Sequence, residues 1–154
     1  MRLSLFKAAV VLGTGLGAFI DGIVLHQILG WHHLICTTET CRPDSVAALE
    51  LQNTQDGLFH LAAFGLTIAG LTLVWHAHRD AAARGMGRMV AGGAVVGWGV
   101  FNFVEGLIDH QILGLHHVKP DSPHWFAYDM LFLASGLLLV VIGFAVARRA
   151  SPPS

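Results

Sequence analysis

One segment of sixteen residues occurs twice in this chain: FIDGIVLHQILGWHHL at 19–34 returns as FVEGLIDHQILGLHHV at 103–118, with nine positions identical. Two copies of one segment, each set in a long apolar run, predict two related halves packed about a common axis. Each copy carries an acidic residue, a glycine, a His-Gln pair and a His-His pair among side chains otherwise suited to a bilayer. Ionisable groups cost several kcal/mol in such surroundings and mark function by default.

Hydrophobic residues make up 54% of the chain and charged ones 12%, the balance of an integral membrane protein. In lipid the backbone must satisfy its own hydrogen bonds, which leaves helices or closed barrels. Four apolar runs, at 7–29, 53–75, 89–113 and 125–147, each approach the ~20 residues a helical span needs. The expected fold is therefore an all-α membrane protein, one domain over 1–154. Its four-helix bundle is built from two parallel-duplicated helix pairs, with halves at about 8–78 and 92–149. The start of the chain resembles a secretory signal, but its apolar run continues through Asp21 into the repeat. VLGTG at 11–15 also aligns with VVGWG at 95–99, so this segment is expected to stay as the first span. A net charge of −1 gives no footprint for nucleic acid, and the expected partner is the lipid bilayer.

Positive charges set the expected orientation. Arg2 and Lys7 precede the first span, Arg79, Arg84 and Arg88 lie between the second and third, and Arg148 and Arg149 follow the fourth. The other two loops carry only Arg42 and Lys119, among several acids. The positive-inside rule then places both termini in the cytoplasm of a cell with this chain in its plasma (inner) membrane. Both His-His pairs fall at the outer ends of their spans.

An α-helical wheel, at about 100° per residue, puts His32 near 20°, His33 near 120° and His26 near 140° from Asp21. Glu105, His116, His117 and His110 repeat these angles, with Asn102 and Asp109 in the same arc. Asp56 and His60 share a face one turn apart, and Asp129 matches Asp56, whereas His60 corresponds to Leu133. That asymmetry favours one shared centre. The expected inner ligands are His26, His60 and His110, about 10 Å below the outer boundary. His32, His33, His116, His117, Asp56 and Asp129 form a second or entry layer. Asp21, Glu105 and Asp109 lie where they would orient imidazoles or relay protons. If Gly30 and Gly114 end their helices, the His-His pairs move into loops.

Imidazole and carboxylate without thiolate suit iron, zinc or copper, mono- or dinuclear. A b-type haem between His26 and His110 is the alternative. The expected activity is redox-related, with a membrane metal-dependent oxidoreductase as the enzymatic version. A proton or divalent-cation relay is a competing class, as is an accessory subunit for assembling a membrane oxidase; a homo-oligomer is also open. Cys36 and Cys41, in an outer loop, are expected to form a disulfide. Gly13 with Gly17, and Gly93 with Gly97, predict close packing of the first and third spans.

At the doubled segment the chain resembles the small four-span bacterial and archaeal membrane proteins grouped as a domain of unknown function and marked by paired DGxxxHQxLxxHH-like segments. The resemblance covers almost the whole chain and implies a plasma-membrane protein with two related helix pairs. It brings no activity, substrate or cofactor with it.

Overall fold

Long apolar runs without an internal proline have one economical way to bond their backbone in lipid, and all four are helical. The computed structural model describes residues 4–36, 43–79 and 85–149. Helix α1 spans Leu5–Asp21, α2 Val46–His78, α3 Met86–Glu105 and α4 Trp125–Arg148. Serine side chains cap two of them: Ser4 accepts from the Lys7 N–H and Ser45 from the Ala48 N–H. Helices α1 and α3 each continue into a wider π-helical segment, Gly22–Ile28 and Gly106–Ile112. With these extensions the four helical rods are 24, 33, 27 and 24 residues long, and each is apolar enough to cross a membrane. Among the described residues there is no strand. The second rod begins at Val46, earlier than the apolar run predicts, because the Ser45 cap starts the helix before its apolar stretch begins.

Packing follows the two halves. Helices α1 and α3 form the central pair, α2 lies mainly against α1, and α4 mainly against α3. The flanking helices leave Leu58, Leu61, Leu131, Leu138 and Val141 exposed, which are side chains for lipid. The buried apolar residues of the interior are small, among them Ala8, Ala9, Ala18 and Ala63. Without a hydrophobic drive between helices in lipid, close backbone approach supplies the attraction. A Cβ on Gly13 would overlap the backbone of Ala94, and one on Gly97 the carbonyl of Val10. Gly15 faces Thr67 on α2, and the equivalent Gly99 faces Gly136 and Val140 on α4.

Gly30 and Gly114 end the first and third rods in the left-handed region, at φ +56° and +58°. A bond across each glycine closes the helix end: the Trp31 N–H donates to the Leu25 carbonyl and the Leu115 N–H to the Asp109 carbonyl. Both His-His pairs therefore lie in loops, at the same end of the molecule. These loops are cross-tied. His32 Nδ1–H donates to the Val118 carbonyl at 2.9 Å, His116 Nδ1–H to the Leu34 carbonyl at 3.0 Å, and the Cys36 N–H to the Leu115 carbonyl at 3.1 Å.

Candidate metal centre

Two aspartates hold the loop end together. Asp56 on α2 and Asp129 on α4 are both fully buried, so every oxygen lone pair needs a donor. Asp56 Oδ1 accepts from His26 Nδ1–H at 3.0 Å and the Leu34 N–H at 2.9 Å, and Oδ2 from His33 Nδ1–H at 2.7 Å and Gln27 Nε2 at 3.2 Å. Asp129 repeats the pattern with His117 Nδ1–H at 2.7 Å, Gln111 Nε2 at 3.0 Å and the Val118 N–H at 2.9 Å. His110 Nδ1 stands 3.7 Å from Asp129 Oδ1, so this link is longer than its counterpart. The two aspartates, expected in an entry layer, thus act as anchors. They fix His26, His33 and His117 by Nδ1, the ring edge away from any centre those rings would serve.

The π-helical segments turn the deeper histidines inward. In an α-helix a residue five positions on lies about 140° round from its start. The i→i+5 bonding of a π-helix brings it back towards the same face. His26 Nε2 consequently lies 3.5 Å from Asp21 Oδ2, and His110 Nε2 3.2 Å from Glu105 Oε1. The loop histidines reach the same place, with His116 Nε2 3.1 Å from Glu105 Oε1 and the His32 and His116 rings stacked 4.5 Å apart at 12°. The His26 and His32 rings are 4.7 Å apart, and those of His110 and His116 4.8 Å. All four histidines are buried, and so is Asp21. Among the described residues, two sets have potential ligand atoms within 4.8 Å of one another: Asp21, His26 and His32, and His32, His110 and His116.

Tautomers follow from the anchors. Carbonyl oxygens only accept, so the Nδ1 atoms of His32 and His116 carry hydrogens, and in the neutral rings each Nε2 is a bare lone pair. His26, donating through Nδ1 to Asp56, is in the same state. Those lone pairs face the carboxylates of Asp21 and Glu105, or, for His32 Nε2, no hydrogen-bond partner at all. Acceptors directed at acceptors in a buried volume need a cation between them, either a metal ion or protons. Burial pushes the loop residue His32 well below the ordinary histidine range, and the neighbouring His116 and His26 push the same way against the opposing pull of the Val118 carbonyl. A neutral His32 is the ligand form.

Both copies of the doubled segment meet in this cluster, and a family match runs from residue 8 to residue 150. The chain belongs to the family described as Predicted membrane protein (DUF2243). No curated protein and no solved structure matches it. The family and the four apolar rods together establish a multi-pass membrane protein embedded in a lipid bilayer.

The remaining expected site residues of this DUF2243 protein lie elsewhere. His60 does not join His26 and His110. Its Nδ1–H donates to the Asp56 carbonyl one turn back, and its ring packs edge-on to Phe19. It lies against Gly22, where a Cβ would come within 2.7 Å of its Nε2. Local back-bonding of this kind spends a donor on the residue's own helix. Asp109 is partly buried and falls outside both ligand sets, as do His33 and His117. Cys36 is buried, with its sulfur 3.3 Å from the His33 N–H, while Cys41, its expected partner, lies outside the described residues. The π-helical segments escaped the sequence reading. Their only trace there is the glycine that opens each one, Gly22 and Gly106, at equivalent places in the two copies.

Proposed function

We propose that this protein is a membrane metalloprotein whose buried histidine and carboxylate cluster binds a transition metal and carries redox chemistry near the outer face of the plasma membrane. The observation that carries the reading is the convergence of four buried imidazoles, His26, His32, His110 and His116, three of them anchored through Nδ1, whose Nε2 atoms face two carboxylates or no partner. Metal sites use this construction, in which the far ring nitrogen is held by a carboxylate or carbonyl and the near one is left for the ion. Nitrogen and oxygen donors without thiolate suit iron, copper(II) or zinc, and a redox role favours the first two.

The packing of the rings supports bare metal over b-type haem. A macrocycle needs an open slot between two axial imidazoles. Here His26, His32, His110 and His116 are stacked or edge-on to one another at 4.5–6.2 Å. The duplicated halves and the arginines Arg79, Arg88, Arg148 and Arg149, at the end opposite the cluster, support cytoplasmic termini and an outward-facing centre.

The test is elemental analysis and optical spectroscopy of the full chain, purified in mild detergent without chelator, beside His26→Ala and His110→Ala. Near-stoichiometric iron or copper that is reduced in both folded variants, with no haem absorption band, is the expected result. A folded wild-type protein that takes up no metal would instead assign the opposed acceptors to shared protons. The reading would then move to a proton relay.

A further inference from the structure

Resting on the metal reading above, we infer that the cluster is two metal positions side by side. Each half supplies one triad of two histidines and one carboxylate, and the pair of ions shares a small uncharged diatomic ligand of the size of dioxygen.

The sequence spacing is the same in both halves. An acid, a histidine five residues on and a second histidine six further recur as Asp21, His26, His32 and as Glu105, His110, His116. The first triad has its three ligand atoms within 4.8 Å of one another. In the second, Glu105 Oε1 lies 3.2 Å from His110 Nε2 and 3.1 Å from His116 Nε2. Two π-helical segments, in equivalent positions, bring each deeper histidine over its own acid.

Counting lone pairs supports two ions over one. His32 offers a single Nε2 lone pair, because its Nδ1–H is committed to Val118, and can therefore ligate one ion only. A lone ion held by His32, His110 and His116 would leave the Asp21 and His26 acceptors, opposed at 3.5 Å, to share a proton, with both groups unused as ligands. Two ions, one in each triad, satisfy every inward acceptor of both sets. The 4.5 Å stack of His32 on His116 joins the triads edge to edge. Ions about 3.5–4 Å apart, as in known two-metal sites, fit that adjacency.

A triad of two histidines and one carboxylate leaves coordination positions open and is characteristic of iron(II) that binds a small oxidant. Those open positions lie where His32 is 1% and His116 2% exposed, shut off from bulk solvent and its larger solutes. An uncharged diatomic can reach them through lipid.

The experiment is anaerobic iron(II) titration of the full chain in mild detergent, with bound iron counted per chain and nitric oxide added as the probe ligand. Two ions per chain are expected for wild type, one each for Asp21→Ala and Glu105→Ala, and none for the double variant. Asp21→Glu should recover the second ion, which separates loss of a ligand from loss of fold. With nitric oxide, the single variants should give the resonance of an isolated iron nitrosyl, and wild type should lose it through coupling between the two ions. One ion in wild type overturns this inference and leaves the metal centre standing; no ion overturns this inference and restricts the metal reading to copper or zinc. An undiminished isolated signal in two-ion wild type overturns the shared ligand.

Discussion

At the scale of single residues, the molecule concentrates its polar bonding on Asp56 and Asp129, and the consequences of removing either are large. Asp56 receives four donors while fully buried. Each buried donor left unmet costs about 1–3 kcal/mol. Asp56→Ala should therefore lower stability by more than about 3 kcal/mol, measured as the shift of a reversible unfolding transition in detergent. Asp56→Asn, which keeps one accepting oxygen, should lose less. His32 gives a prediction of a different kind. Its folded pKa lies well below the ordinary 6.5 because of burial and its histidine neighbours. Between those two values the unfolded chain holds a proton that the folded chain does not, so the stability is fully present above pH 6.5 and declines as pH falls below it. The unfolding midpoint of the metal-free protein should drop on acidification from about pH 7.5 to about pH 5.5, and His32→Gln should flatten that slope. A slope unchanged by the substitution would mean that other groups carry it.

At the scale of elements, the π-helical segments decide what the sequence could and could not reveal. Four apolar runs gave the four rods, and the glycine pattern at Gly13 and Gly97 gave the α1 and α3 contact, because length, hydropathy and small-residue spacing are local properties. The histidines and acids were also visible as a set. Their arrangement was not, because a wheel drawn at 3.6 residues per turn places His26 and His32 on different parts of the helix, whereas the widened turn and the Gly30 reversal bring them to adjacent positions. His60 was misplaced for the opposite reason: its helix is regular, and a bond to its own backbone turns the ring aside. Adding one residue to the first wide segment tests its role. Insertion of an alanine after Ile23 should make His26 the sixth residue beyond Asp21 and swing it off that acid. Helix content by circular dichroism should stay near wild type, and metal affinity should fall at least about tenfold, the loss expected when a ligand or its orienting partner is displaced. Undiminished affinity would show that the wide turn is not what aims the ligand.

At the scale of the whole molecule, the two halves meet along a single principal seam. Helices α2 and α4 pack mainly on their own partners, so the distance between the halves, and hence between their histidines, is set by α1 against α3. That seam depends on backbones touching. Gly97 sits where a Cβ would overlap the Val10 carbonyl and come within 2.6 Å of the Thr14 N–H. Thr14 itself bonds across the seam, its Oγ1 3.3 Å from the Gly97 carbonyl. Backbone cannot yield as a side chain tip does, so Gly97→Ala must push the two helices apart, at a cost of about 1–3 kcal/mol for overpacking. The cluster lies beyond the far end of this seam and draws one set of ligands from each half, so a small separation should loosen it as well. Gly97→Ala is expected to lower both the unfolding temperature and the metal affinity. Gly65→Ala, on α2 with open space around it, should leave both near wild type. A Gly97→Ala protein that is destabilised but binds metal as tightly as wild type would show that the cross-ties from His32 to Val118 and from His116 to Leu34 hold the centre together without help from the helices.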